Sequence, residues 1–289
     1  MTAAGFFYGF DISDGKGFLS KVFKTSIYFD DEKKVPYYVI LKIPGDESIK
    51  EILKKQNLDG TMNIELEHIS VFHNKECHFY NDVASKIKTL KYPKCYGSKD
   101  LIVGKQEGAL LIKFLGSDSV IVPFYRSLNI HQTKSILNEA YKLQEHSLLN
   151  QDDFIKDNWE QPFTEDQMKS FLDLARKGIP TLKKYILKEM WSEIENDLDN
   201  MISNYIKIMR YVYIELPKSN GNVPVICHGD MWINNFMFKV NSNEYNVLEE
   251  SDYIGDARMF DIGTRVYYNL YDAINICKEL HPEWLKNSK

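Results

Sequence analysis

Val225-Ile226-Cys227-His228-Gly229-Asp230-Met231-Trp232-Ile233-Asn234-Asn235-Phe236-Met237-Phe238 decides the reading of this chain. It holds His-x-Asp with an Asn five residues after the Asp, set between apolar β-forming residues. Such a loop suits phosphoryl transfer. An Asp can accept or orient an attacking hydroxyl, and the following Asn can hold a metal ion against phosphates. The flanking Val-Ile-Cys and Phe-Met-Phe runs read as short buried strands that fix the loop between them. The Gly between His and Asp, the Trp at Asp+2 and the doubled Asn make the pattern more specific than a bare HxDxxxxN. The competing reading is a structural His-Gly-Asp turn.

Four further parts are needed to handle a nucleotide. Gly15-Lys16-Gly17-Phe18-Leu19-Ser20-Lys21-Val22 has the form GxGxxSxV before a strand. Glycines let the backbone approach phosphates, whose oxygens then bind N–H groups. Lys42 lies in the apolar strand Val39-Ile40-Leu41-Lys42-Ile43, where a charge needs a partner or a cleft. Glu76, on a helix among aromatics, is the acid best placed to pair with it. His73 and His78 flank Glu76 at a spacing of five, unlike a helical metal pair, so no metal site is read there. The fourth part is an acidic metal ligand after Asn235.

The bulk properties narrow the classes. With 289 residues the chain can bury a sizeable core. A net charge of -5 gives no electrostatic case for a nucleic-acid partner. Cys77, Cys95, Cys227 and Cys277 are dispersed, which argues against a zinc site and a disulfide framework. No basic leader and no apolar run near the ~18 residues of a membrane span is evident. The expectation is a cytoplasmic protein without a membrane span, and nothing implies an obligate protein partner.

Strands are expected over 21–29 and 37–43, joined by a polar tip at Asp30-Asp31-Glu32-Lys33-Lys34, and again over 101–103 and 109–114. A helix is expected over 69–88. Helices dominate later, with Ile136, Ala140, Leu143 and Ser147 on one face of 132–148. Thr164 with Gln167 forms a capping box for the next helix, which Gly178 and Pro180 interrupt. The fold class is α+β. A β-rich N-terminal part (1–114) carries the glycine loop, Lys42 and Glu76, and a mainly helical part (115–289) carries the catalytic loop.

These segments, together with Pro93-Lys94-Cys95-Tyr96-Gly97 and Phe260-Asp261-Ile262-Gly263, resemble the CHK kinase-like family over roughly residues 10–270. That is the ecdysteroid-kinase-like and choline-kinase-like group of nematodes and insects, related to aminoglycoside phosphotransferases. The resemblance implies a two-lobed protein-kinase-like fold, with ATP and Mg²⁺ as cofactors. It further implies transfer of the γ-phosphate to a small-molecule hydroxyl, on a steroid, a choline-like alcohol or a xenobiotic. It makes Asp230 the catalytic base, Asn235 a metal ligand, and Lys42 with Glu76 the phosphate-holding pair. Gly15, Gly17 and Ser20 would line the phosphate loop. Ile112 and Phe114 would lie in the nucleotide hinge, and His228 and Asp261 would brace the catalytic loop.

Two departures stand against the family pattern. Its Asp-aromatic-Gln metal motif falls, by a gapless count of twelve residues back from Asp261, on Glu249-Glu250-Ser251. Glu249 then takes the metal position, with Asp252 as the alternative after a register shift. A longer carboxylate displaces the metal and can slow the chemistry by orders of magnitude. A catalytically impaired pseudokinase that keeps only nucleotide or partner binding is therefore the second reading. The chain also stops soon after Asp261 where relatives continue with more helices, so it is expected to be a C-terminally short member that exposes Tyr267, Tyr268, Leu270 and Tyr271.

Overall fold

The computed structural model describes residues 4–13, 19–31, 33–55, 65–116, 118–123, 128–152, 164–216, 219, 221, 223, 225–239, 267 and 270–286. Seven strands fall among them: β1 (Ala4–Asp11), β2 (Ser20–Phe29), β3 (Tyr37–Pro44), β4 (Cys95–Lys99), β5 (Ala109–Lys113), β6 (Ser119–Val120) and β7 (Phe238–Lys239). The helices are α1 (Glu47–Lys55), α2 (Leu66–His78), α3 (Ile130–Leu149), α4 (Glu165–Lys183), α5 (Lys188–Ser203) and the short α6 (Tyr205–Arg210). Residues 270–280 are also helical. The fold is α+β as expected: an N-terminal antiparallel sheet with helices, then a mainly helical region, consistent with a two-lobed kinase-like plan. Among the described residues no helix is long and apolar enough to cross a membrane.

The main sheet runs β1-β2-β3-β5-β4, and every neighbouring pair is antiparallel. The β2–β3 hairpin turns at the polar tip, where the Lys34 N–H donates to the Asp31 carbonyl at 2.9 Å. Strand β3 is therefore central, and Lys42 faces Val22 on one side and Leu110 on the other. Residues directly opposite in an antiparallel pair project to the same face. One face thus gathers Val22, Ile40, Lys42, Leu110 and Ile112.

Several local expectations are corrected. β1 is an additional edge strand, unforeseen because its two glycines weaken the strand signal. Its Phe7, Tyr8 and Phe10 are exposed. The strand expected at 101–103 lies instead at Cys95–Lys99, and Ile102 makes only an isolated bridge to Gln106 around Gly104 at φ 72°. Residues 225–228 form no strand, although β7 follows the loop and pairs with β6. Helix α4 runs through Gly178 and Pro180 without interruption. A proline removes one intrahelical donor, a loss that a long amphipathic helix can absorb.

The described chain divides into two compact units. Unit 1 combines Met1–Phe124, Leu128–Pro162 and Val225–Glu244, so the sheet, α3 and the His228–Asn235 loop belong together. Its helical core joins Val83, Ile87, Leu143 and Ile226. Unit 2 contains Phe163–Pro224 and Tyr245–Lys289, with a core of Ile186, Trp191, Ile194, Leu198, Tyr267 and Ile274. Tyr267 is buried rather than exposed, packed by α5 and donating to Glu193 at 2.6 Å, and Leu270 packs against the same core. Tyr271 is exposed as expected, and Tyr268 lies outside the described residues.

Candidate active site

Lys42 and Glu76 meet. The Lys42 Nζ donates to both carboxylate oxygens of Glu76 at 2.7 Å. Their side chains are 26% and 34% exposed, so the pair is sheltered yet reachable by a ligand. A lysine on the central strand cannot be an edge-strand charge turned to water. Beside it, Val22, Ile40 and Ile112 are half-buried and give the same face an apolar strip. At the far end, Phe114 packs edge-on to Tyr38 with centroids 6.2 Å apart. The Lys24 ammonium stands 4.5 Å from the Phe114 ring centre and 4.7 Å from that of Tyr38. Phe114 is thereby held where the strip ends.

Helix α2 is fastened to the sheet by residues that the sequence reading had not assigned. Asn74 donates from Nδ2 to the Leu101 carbonyl at 3.0 Å and accepts the Leu101 N–H at 2.8 Å. His73 is buried, with Nε2 2.9 Å from the Lys99 carbonyl. That contact makes Nε2 the protonated ring nitrogen. A Cβ built on Gly108 would lie 2.7 Å from His73 Nε2 and from Pro44 Cγ, so only glycine admits the imidazole. A turn beyond Glu76, Tyr80 packs with Phe79 and Tyr92. Burial first, then the Glu76 carboxylate, pushes its phenol well up, which keeps it neutral.

The glycine loop lies in the β1–β2 connection. Gly15 and Gly17 are outside the described residues, but both stems are tied down. Ser13 is buried and accepts the Val22 N–H on Oγ at 2.7 Å, while the Gly45 N–H donates to the Leu19 carbonyl at 3.1 Å. Ser20 opens β2 opposite Pro44. The Ser13 backbone N–H and then its side chain hold the Asp11 carboxyl below its usual range.

In the His228–Asn235 loop, Gly229 takes φ 79°, a left-handed conformation that L side chains rarely adopt. This turns the chain between His228 and Asp230. Asn235 Nδ2 donates to the Asp230 carbonyl at 2.9 Å and to its Oδ2 at 2.8 Å. The Asp230 carboxylate is thus oriented through Oδ2. The Asn235 Oδ1 faces the opposite side of its amide and is a hard oxygen donor of the kind Mg²⁺ takes. His228 Nδ1 accepts the Asp230 N–H at 3.3 Å, so it supports the loop from within. The loop hangs from α3, where buried Ser147 accepts the Ile226 N–H at 2.9 Å and donates to the Leu143 carbonyl at 3.0 Å.

The expected residues therefore form two groups, Lys42–Glu76 and His228–Asp230–Asn235. Among the described residues no hydrogen bond or ion pair joins them, and no cluster of three acidic, His or Cys side chains could hold a metal ion alone. Glu249, Asp252 and Asp261 lie outside the described residues.

No solved structure matches the chain. The Caenorhabditis elegans protein named "Uncharacterized oxidoreductase dhs-27" is 28% identical over 231 residues, which cover 77% of this chain. The same stretch covers only 26% of that relative's length. A family profile matches residues 9–253, a span containing both groups of site residues, and the chain belongs to that family, DUF1679, described as "Uncharacterized oxidoreductase dhs-27".

Proposed function

We propose that this protein is a CHK kinase-like phosphotransferase that moves the γ-phosphoryl group of Mg²⁺-bound ATP to a hydroxyl of a small molecule. The observation that carries this reading is the bidentate Lys42–Glu76 pair on the central strand, at the end of the Val22–Ile40–Ile112 strip. An ammonium held this way stands as a fixed positive point for α- and β-phosphates, while the apolar strip receives a base. Asp230 accepts the proton of the acceptor hydroxyl as its oxygen bonds to the γ-phosphorus and the bond to ADP breaks. Asn235 orients Asp230 through Nδ2 and offers Oδ1 to the cation. When bound, Mg²⁺ neutralises charge on the β- and γ-phosphates. The acid completing that site would be Glu249 or Asp252.

The word oxidoreductase in the relative's name describes a protein of which this chain matches about a quarter. A dinucleotide fold binds its ligand at the carboxyl ends of parallel strands. All the strand pairings described here are antiparallel, which favours the phosphotransferase. The pseudokinase reading keeps one specific support, the Glu249-Glu250-Ser251 sequence where the family has Asp-aromatic-Gln.

Calorimetric titration of ATP with and without Mg²⁺, beside NADH and NADPH, tests the proposal. The expected result is Mg²⁺-dependent ATP binding. Lys42→Met should weaken it by about tenfold or more, the scale of a lost charge-assisted hydrogen bond. Asp230→Ala should remove turnover with a smaller effect on binding. Dinucleotide binding without ATP binding would overturn the phosphotransferase. ATP binding without transfer to any of a panel of alcohols, unrepaired by Glu249→Asp, would select the pseudokinase.

A further inference from the structure

An ion pair between a strand and a helix is only as well placed as the helix. Successive residues of an α-helix point about 100° apart, so a small rotation of α2 would carry Glu76 away from Lys42. Side chains in the middle of α2 tie it to the sheet. The Asn74 amide and the Leu101 backbone exchange two hydrogen bonds, of 2.8 and 3.0 Å, in the manner of two paired strands. Next to it, His73 is bonded to the Lys99 carbonyl and seated over Gly108. These contacts reach the end of β4 and the tight turn after it, where Gln106 Nε2 donates to the Asp100 carbonyl at 2.7 Å. Glu76 stands two residues beyond Asn74 on the same rigid helix.

We propose that Asn74 is a positioning residue that sets the rotation of α2 and thereby holds Glu76 against Lys42. The clamp stands on geometry alone, and its bearing on phosphates rests on the phosphotransferase reading. In protein kinases the equivalent ion pair must be in place for activity, and control often acts on the helix that bears the acid. Here that helix is tied through a side chain chemically matched to one backbone unit. Asn74→Ala removes both bonds and leaves Lys42 and Glu76 intact. Asn74→Asp keeps an acceptor for the Leu101 N–H, loses the donor, and sets a carboxylate against the Leu101 carbonyl.

The test is the rate at which a small amine-acylating reagent modifies Lys42, followed by peptide mass spectrometry, together with the affinity for Mg²⁺-bound ATP. A bidentate pair shields the amine. Asn74→Ala should speed labelling about threefold or more, the scale of an ordinary pairwise coupling. Glu76→Gln should do the same, and the double variant should label no faster than Glu76→Gln alone. Asn74→Asp should fall between wild type and Asn74→Ala, and it carries the test if the alanine variant does not fold. ATP affinity should drop in the same order. A folded Asn74→Ala protein that labels at the wild-type rate, or effects that simply multiply in the double variant, would overturn the clamp. Wild-type protein that binds no ATP would overturn its phosphate role, while the labelling still decides the clamp.

Discussion

Four thiols in this chain share a chemistry but not an environment. Cys77 is fully buried, with Sγ 3.4 Å from His73 Nε2, and burial, then the charges of Asp100 and Glu76, push its thiol up to about 11. Burial also raises the Cys277 thiol. Cys227 is exposed beside His228. Because the thiolate is the nucleophile, a disulfide-exchange reagent should modify Cys227 first, and Cys77 and Cys277 only on unfolding. Peptide mapping of the labelled protein checks this. The raised Cys77 value also has a pH consequence. The folded thiol keeps its proton while the unfolded one ionises above the ordinary thiol value near 9. Its stabilising contribution is complete below pH 9 and is lost as pH rises through about 11. Replacing Cys77 by Ala should flatten the alkaline fall in stability over that window, by about 1–3 kcal/mol. Urea denaturation across the pH range reads it.

At the scale of elements, each site group is held by a helix acting at a distance in sequence. α3 starts at a complete capping box, Asn129 with Gln132, and α4 at another, Thr164 with Gln167. The second is expected from sequence, and the first carries the same signal. The buried face of α3 holds Ile136, Leu143 and Ser147, as its periodicity predicts. Ser147 does more than pack, since its hydroxyl receives the N–H of buried Ile226 and suspends the segment that leads into the His228–Asn235 loop. Ser147→Ala strands that donor and should destabilise the protein by about 1–3 kcal/mol. Chemical denaturation measures the loss, and turnover should fall while ATP affinity changes less, because Lys42 and Glu76 are untouched.

At the scale of the whole molecule, neither unit is a simple stretch of chain. Unit 1 takes its His228–Asn235 loop from beyond residue 224, after the chain has built most of the helices of unit 2. Unit 2 is closed by a contact of comparable sequence range. Buried Asn204, between α5 and α6, donates from Nδ2 to the carbonyls of Trp284 at 2.8 Å and Lys286 at 3.1 Å, as well as Asn200 at 3.0 Å. His281 stacks on Trp284 at 3.9 Å, and Tyr211 meets both rings edge-on. Asn204→Ala should leave these carbonyls under-satisfied and cost about 2–3 kcal/mol. The urea midpoint should fall with an unchanged slope, since the surface exposed on unfolding stays the same.

By itself the sequence determined the residue types of the site, because chemistry demands them at short, fixed spacings. His228, Asp230 and Asn235 fall within eight residues, and their mutual bonds are local. It also determined the α+β class and the buried face of α3, which follow from periodicity. The tertiary structure alone decided what depends on distant partners. Lys42 and Glu76 are 34 residues apart, and their pairing follows from the central place of β3 and the rotation of α2. The strand expected at 101–103 failed for the same reason: Asn74, 27 residues away, takes both backbone groups of Leu101 that a strand partner would have used. Local propensity proposes where a backbone can pair, and the hydrogen-bond partner that the fold delivers determines which pairing forms.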